Sequence, residues 1–284
     1  MRSSTPNDRQ QRAAASDEAL RRAQFAISND RPIEAERLAA DFLKTNPGHL
    51  EATKILGYAF IMLRRQKDAI VLLEKAARRS RDAEIETQIA IALRQTGRGE
   101  DALVWLNRAI KRKPPFAAAF HELGLALKTL RRYDEAIDAF KQGVAVAPMM
   151  VEMAVQLGFA YRAINDRDNA RRVFAHANAM NPRHAEAVHA LGVVLMEDHE
   201  FAQAADLFRN ALAANPNDIA ARINLGASLL GLGQLDVAYA CLRAATARGP
   251  QYFGKALKVA VSSGHGRFWL RPSAAARFFR GETS

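Results

Sequence analysis

A repeat of 34 residues runs through most of the 284-residue chain and restricts its possible folds. Ala102 and Ala136, for example, occupy the same position in two successive copies. One copy occupies residues 117–148, where two groups of apolar residues with helical spacing flank a short turn. The first group is Phe120, Leu123, Gly124 and Leu127, and the second is Ala136, Ile137, Phe140 and Val144. Each copy therefore predicts two amphipathic helices joined by a turn.

Three columns of residues recur in register and mark the copies. Alanine lies near the start of each second helix, at Ala35, Ala69, Ala102, Ala136, Ala170, Ala204 and Ala238. A small residue lies in each first helix, at Ala23, Gly57, Ala90, Gly124, Gly158, Gly192 and Gly226. Proline closes most copies, because it cannot continue a helix. Small residues let helix axes approach closely, so the columns predict seven closely packed helix pairs.

These columns resemble the tetratricopeptide repeat, whose pattern includes Leu-Gly, an aromatic residue, alanine, phenylalanine and proline at set spacings. The fifth copy carries Leu157-Gly158, Tyr161, Ala170, Phe174 and Pro182 in this pattern. No copy has the family's tryptophan in its first helix. The resemblance implies an all-α fold, a right-handed superhelical solenoid of antiparallel helix pairs, and it implies function only as a class.

The pattern divides the chain into three segments. Residues 1–15 are polar without periodicity, and we expect a disordered N-terminal arm. Residues 16–252 hold seven tetratricopeptide-like repeats. Residues 253–284 hold a predicted capping helix, whose apolar face would cover the last repeat, and then a basic aromatic tail.

The chain is basic, with a formal net charge of +11, which favours acidic partners. Its single cysteine, Cys241, excludes an internal disulfide and is expected to be a small buried apolar residue. The sequence shows no signal peptide and no apolar stretch as long as a membrane span, so we expect a cytoplasmic protein.

The sequence carries none of the motifs that mark common catalytic or cofactor sites. There is no P-loop, no G-x-S-x-G, no H-E-x-x-H and no C-x-x-C, and the seven histidines are scattered. We therefore expect no catalytic residues, no cofactor and no metal site, and a protein that is not an enzyme.

In the resembled family the first helices line a concave groove, which gives candidate partner-binding positions here. These are Lys54, Tyr58, Ile91, Arg94, His121, Leu125, Lys128, Phe159, Arg162, His189 and Val193. The set combines an apolar floor with a basic column, Arg94, Lys128 and Arg162, and predicts a protein or peptide partner that is acidic and has apolar anchors. Alternatively, the apolar residues form inter-repeat core and the cations are solvated.

The C-terminal tail places aromatic residues among arginines. Its candidate docking residues are Arg267, Phe268, Trp269, Arg271, Phe278 and Phe279. They could bind an anionic membrane surface or a nucleic acid, or the rings could pack back on the solenoid while the arginines keep this end soluble.

The leading functional hypothesis is a non-enzymatic scaffold or adaptor that binds a partner segment in its groove. Three alternatives stay open. One is an anionic-surface or nucleic-acid binder that acts through the tail. Another is an accessory subunit that positions a separate enzyme, and the third is self-association through the terminal repeats.

Overall fold

A computed structural model describes residues 18–262, 264–266 and 272–281, and in that part of the chain it contains helices and no strand. The helices are α1 (18–28), α2 (Pro32–Thr45), α3 (Leu50–Met62), α4 (Gln66–Ala77), α5 (Ala83–Gln95), α6 (Gly99–Ala109), α7 (Ala117–Thr129), α8 (Tyr133–Val146), α9 (Val151–Ala163), α10 (Arg167–Met180), α11 (Ala185–Glu197), α12 (Phe201–Ala214), α13 (Ile219–Gly231), α14 (Leu235–Thr246), α15 (Phe253–Ser262) and α16 (Pro272–Arg280). The N-terminal arm predicted over residues 1–15 lies outside the described residues.

The chain forms two compact units, Met1–Pro148 and Met149–Ser284. In the first unit, consecutive helices from α2 to α8 pack against each other, and α3, α5 and α7 also pack against one another in order. In the second unit, the same arrangement runs from α9 to α14, with α9, α11 and α13 in successive contact. The all-α architecture of consecutive helix pairs predicted from the repeat is therefore confirmed. We call α1, α3, α5, α7, α9, α11 and α13 the first helices, and their partners the second helices.

Every first helix ends in the same tight turn. In α3, the backbone N–H of Arg65 donates to Phe60 O at 2.8 Å, and that of Arg64 donates to Ile61 O at 3.2 Å. This is a Schellman motif, which requires a left-handed residue after the helix. The positions with positive φ are Asp30, Arg64, Gly97, Arg131, Asn165, His199 and Gly233. They repeat with the period of the sequence columns, so the turn belongs to the repeat unit.

The small-residue column has a direct packing cause. The Phe140, Phe174 and Phe208 side chains of the second helices are fully buried, and each ring lies against the glycine of its paired first helix. A Cβ at Gly158, for example, would lie 2.7 Å from Cδ1 of Phe174. The glycine thus leaves space for a phenylalanine in these three helix pairs, and Gly57 and Gly226 leave space for Leu73 and Leu242.

The C-terminal helices cover the last repeat. Helix α15 packs against α13 and α14, with Ala256 and Ala260 fully buried. Helix α16 packs against α14 and α15. The end of the second unit is therefore covered by a capping helix.

No helix in the described part of the chain has the length and apolar character to cross a membrane.

Candidate functional site

The first helices of the first unit enclose a cavity of about 290 Å³, which we call the groove cavity. Its apolar lining includes Ile27, Ile55, Tyr58, Ile91 and Phe116. The Tyr58 side chain is exposed, and Ile91 and Phe116 are half-buried. The cavity therefore combines an apolar floor with side chains that a bound segment could reach.

Lys54 lines the groove cavity, and its ammonium is paired with carboxylates of the same unit. The residue is 8% exposed. Its Nζ atom contacts Glu51 and lies 2.8 Å from Glu84 Oε2 and 3.6 Å from Asp82 Oδ2. Burial disfavours the charged form, but the hydrogen bonds to Glu51 and Glu84 and the nearby negative charges outweigh burial and raise the pKa of Lys54. Its charge is therefore not available to an acidic partner.

Arg94 is likewise paired within the fold. Its Nη2 lies 2.8 Å from Oε2 of Glu122, which belongs to the next first helix. Burial disfavours the Glu122 carboxylate, but the adjacent His121 ring and the Arg94 guanidinium outweigh burial and hold the pKa of Glu122 below its usual range. Since the carboxylate is ionised and covered, the ion pair neutralises this position of the predicted basic column.

The same arrangement occurs in the second unit. There, Arg162 Nη2 lies 2.7 Å from Glu197 Oε1 on α11. Lys128, the remaining residue of the basic column, lies in the first unit and is half-buried. Arg94 and Arg162 of the predicted basic column thus each contact a carboxylate of the following first helix. Replacing Arg94 by glutamate would place a second carboxylate beside Glu122, so that substitution would disturb folding.

The remaining predicted groove residues are half-buried. In the first unit, the His121 ring lies 6.1 Å from that of Phe140, and Leu125 is half-buried. In the second unit, the Phe159 ring packs edge-on against Phe174 at 5.2 Å, and His189 Nε2 lies 3.2 Å from Asp218 Oδ2. Val193 is also half-buried. His121 and Phe159 therefore pack within their own helix pairs, and His189 contacts the following repeat.

The tail residues divide into two groups. Arg267, Phe268, Trp269 and Arg271 lie outside the described residues. Phe278 and Phe279 pack into the fold: the Phe278 ring lies 5.1 Å from Tyr239, and the Phe279 ring lies 5.7 Å from Phe253. Phe279 is 5% exposed. Both rings therefore help to attach α16 to α14 and α15.

Sequence analysis missed the acidic side of the groove cavity. Glu51, Glu84 and Glu122 line it, together with the buried Gln88. A carboxylate in the first turn of several first helices was the available signal, at Glu51 and Glu84 among others.

In the described part of the chain, no three His, Cys, Asp or Glu side chains converge as metal ligands would.

Cys241 is half-buried on α14, and burial raises the pKa of its thiol, although the charges of Arg222 and Arg209 act in the opposite direction. The reactive thiolate is therefore scarce at pH 8. We expect iodoacetamide to alkylate Cys241 several-fold more slowly in the native protein than in urea, as measured by mass spectrometry. Equal rates in the two states would show an accessible, reactive thiol.

Comparison with known proteins supports the fold. The chain resembles PilF of Pseudomonas aeruginosa, with 17% identity and a TM-score of 0.62 over 74% of this chain and 96% of that one. It also resembles MamA of Desulfovibrio magneticus RS-1, with 21% identity and a TM-score of 0.51 over 58% and 95% of the two chains. YrrB, a tetratricopeptide-repeat protein with an unusual peptide-binding site, has 17% identity and a TM-score of 0.50 over 64% and 95%. Among curated protein sequences, none matches significantly.

Two family models, each described as tetratricopeptide repeat, match the sequence. One matches residues 12–84, 87–148 and 155–219, and the other matches residues 195–257. The matched ranges cover most of the chain and overlap every helix from α1 to α14. Together with the glycine–phenylalanine packing and the shared turn, they establish that this chain belongs to the tetratricopeptide-repeat family.

Proposed function

We propose that this protein is a non-enzymatic scaffold that binds a segment of a partner protein on the first-helix faces of its repeats. The observation that carries the proposal is the groove cavity, where apolar side chains from four first helices meet around a volume of about 290 Å³. A concave, partly apolar surface with a few polar groups is typical of a peptide-binding groove.

The proposed contact residues are the groove positions identified from the sequence, taken unit by unit. In the first unit they are Lys54, Tyr58, Ile91, Arg94, His121, Leu125 and Lys128. In the second unit they are Phe159, Arg162, His189 and Val193. YrrB, which shares this fold, has a peptide-binding site, and the proposal gives this chain a ligand of the same class.

Within the first unit, Tyr58 and Ile91 are the best candidates for anchoring contacts. Both line the groove cavity, and Tyr58 is 38% exposed. An aromatic side chain at the surface offers a large contact area with few rotatable bonds, and such residues dominate the affinity of many interfaces.

A pair of double variants tests the proposal by affinity purification from the source cells with quantitative mass spectrometry. Tyr58→Ala/Ile91→Ala removes two groove contacts. Val71→Ala/Val104→Ala removes two exposed apolar side chains from the second helices α4 and α6. We expect the groove variant to recover about tenfold less partner, as for the loss of a central interface contact, while the control variant recovers the wild-type amount.

Thermal unfolding by circular dichroism establishes that both variants fold. A partner that is retained by the folded groove variant and lost from the second-helix variant would place binding on the opposite face and contradict the proposal. Recovery of lipid or nucleic acid alone, unaffected by either variant, would also contradict it.

A further inference from the structure

The charge around the groove cavity is negative, although the chain as a whole is basic. The Lys54 ammonium is surrounded by three carboxylates, those of Glu51, Asp82 and Glu84, which leaves two negative charges uncompensated in this cluster. The third carboxylate that lines the cavity, that of Glu122, is balanced by Arg94. The side chains of Glu51 and Glu84 are 54% and 42% exposed, so a ligand in the cavity can reach them.

A second observation at the same cavity is independent of this charge. Gln88 lines the cavity and is 5% exposed, and its side-chain oxygen Oε1 is buried without a hydrogen-bond partner. Buried acceptors are normally satisfied, because leaving one unpaired costs free energy. Because Gln88 lines the cavity, a ligand bound there is placed to supply the missing N–H donor.

We infer that the groove cavity binds the cationic side chain of a lysine or arginine in the partner segment, an inference that rests on the function proposed above. The ammonium or guanidinium group donates to Gln88 Oε1 and to the carboxylates of Glu51 and Glu84. An apolar residue next to it in the partner packs against Tyr58 and Ile91.

The shape of the cavity suits such a side chain. The apolar side chains of Ile27, Ile55 and Phe116 line it beside the carboxylates. Lysine and arginine pair an apolar stem with a charged end that carries only donors, so the stem can follow the apolar wall while the end meets the acceptors.

An acidic segment, as the net charge and the basic column predicted, fits this cavity poorly. Its carboxylate would approach Glu51, Glu84 and Glu122, and the one ammonium in the lining, that of Lys54, is already held by three carboxylates. Like charges in a partly buried cavity repel strongly, because the low local dielectric weakens screening. Charge complementarity therefore selects a basic residue here.

The test selects a random-peptide phage library on the full-length chain at 150 mM salt, and then measures the affinity of a selected peptide by fluorescence polarisation. We expect the selected sequences to be enriched in lysine or arginine beside an apolar residue. Replacing that basic residue of the peptide by glutamate should abolish binding.

Three protein variants locate the interaction. Glu51→Gln/Glu84→Gln should weaken binding of the selected peptide about tenfold, since it removes two charge-assisted acceptors. Gln88→Leu should weaken it by roughly threefold or more while leaving the melting temperature unchanged or higher, because the substitution removes an unsatisfied buried acceptor. The control Glu18→Gln/Glu186→Gln removes two exposed carboxylates on α1 and α11 and should leave affinity unchanged.

Each other outcome is decisive. If the selected peptides are acidic and bind the Tyr58→Ala/Ile91→Ala variant more weakly, the inference of a cationic ligand is wrong, whereas the proposed binding of a segment in the groove is supported. Basic peptides that bind equally to the Gln88→Leu and Glu51→Gln/Glu84→Gln proteins would place them elsewhere and also overturn the inference. If the library yields no peptide that binds, the result contradicts both the cationic ligand and the proposed binding of a partner segment in the groove.

Discussion

Replacing Arg112 by methionine should lower the free energy of unfolding by about 3 kcal/mol, the lower end for breaking a buried ion pair. Arg112 Nε lies 3.0 Å from Glu86 Oε2, and its Nη2 contacts the other oxygen of that carboxylate. The Glu86 side chain is 4% exposed, whereas that of Arg112 is 29% exposed. Removing the arginine leaves a carboxylate covered by protein and without its cation.

Urea unfolding followed by circular dichroism measures the effect, and a double variant identifies its cause. Glu86→Leu/Arg112→Met should recover most of the lost stability, since apolar replacement of a whole buried pair is often nearly neutral. The control Arg98→Met removes the exposed pair with Asp101 and should cost less than about 1 kcal/mol. If Arg112→Met is no more harmful than this control, the pair does not stabilise the first unit.

The second large effect is expected at Gly158, where replacement by alanine should lower the free energy of unfolding by about 1–2 kcal/mol. A new Cβ would lie within 2.7–2.8 Å of the Cδ1 and Cζ atoms of Phe174, whose ring is fully buried and cannot move aside freely. Overpacking of this kind costs about 1–3 kcal/mol, partly offset by the higher helix propensity of alanine. Thermal and urea unfolding would both report the loss.

The third repeat suggests how to relieve the clash, because it carries Ala90 and Leu106 where the fifth repeat carries Gly158 and Phe174. Gly158→Ala/Phe174→Leu should therefore lose less stability than the sum of its two single changes. Gly254→Ala is the matched control: that helical glycine has nothing within 4 Å of the added carbon, so alanine should be neutral or slightly stabilising. Additive costs in the double variant would show that Gly158 and Phe174 do not interact.

The sequence predicted the helix pairs well because their signals are local and repeated. Apolar spacing sets the buried face of each helix, and the glycine column predicts close approach. The partner of each such glycine is the large apolar residue 16 positions later, as for Gly124 and Phe140 or Gly57 and Leu73. The left-handed turn was harder to predict, since Arg64, Arg131 and His199 occupy positions where glycine would have signalled a positive φ.

The chemistry of the groove could not be predicted from column register alone. Arg94 contacts a glutamate 28 residues later, whereas Arg162 contacts one 35 residues later. Such pairs depend on how far long side chains reach across adjacent helices, and not on the 34-residue period. The burial of Lys54 among carboxylates has the same origin, so residues that looked like a free basic column are largely neutralised.

The contacts within each unit also have a consequence for how the chain is made. From α2 onward in the described part of the chain, a helix packs only against helices one or two positions away, apart from the short turn at Pro250–Tyr252. Contacts so close in sequence favour fast folding. A ribosome adding about 5–20 residues per second needs roughly 2–7 s for one 34-residue repeat. Each helix pair can therefore form as it leaves the ribosome and become the surface on which the next one docks.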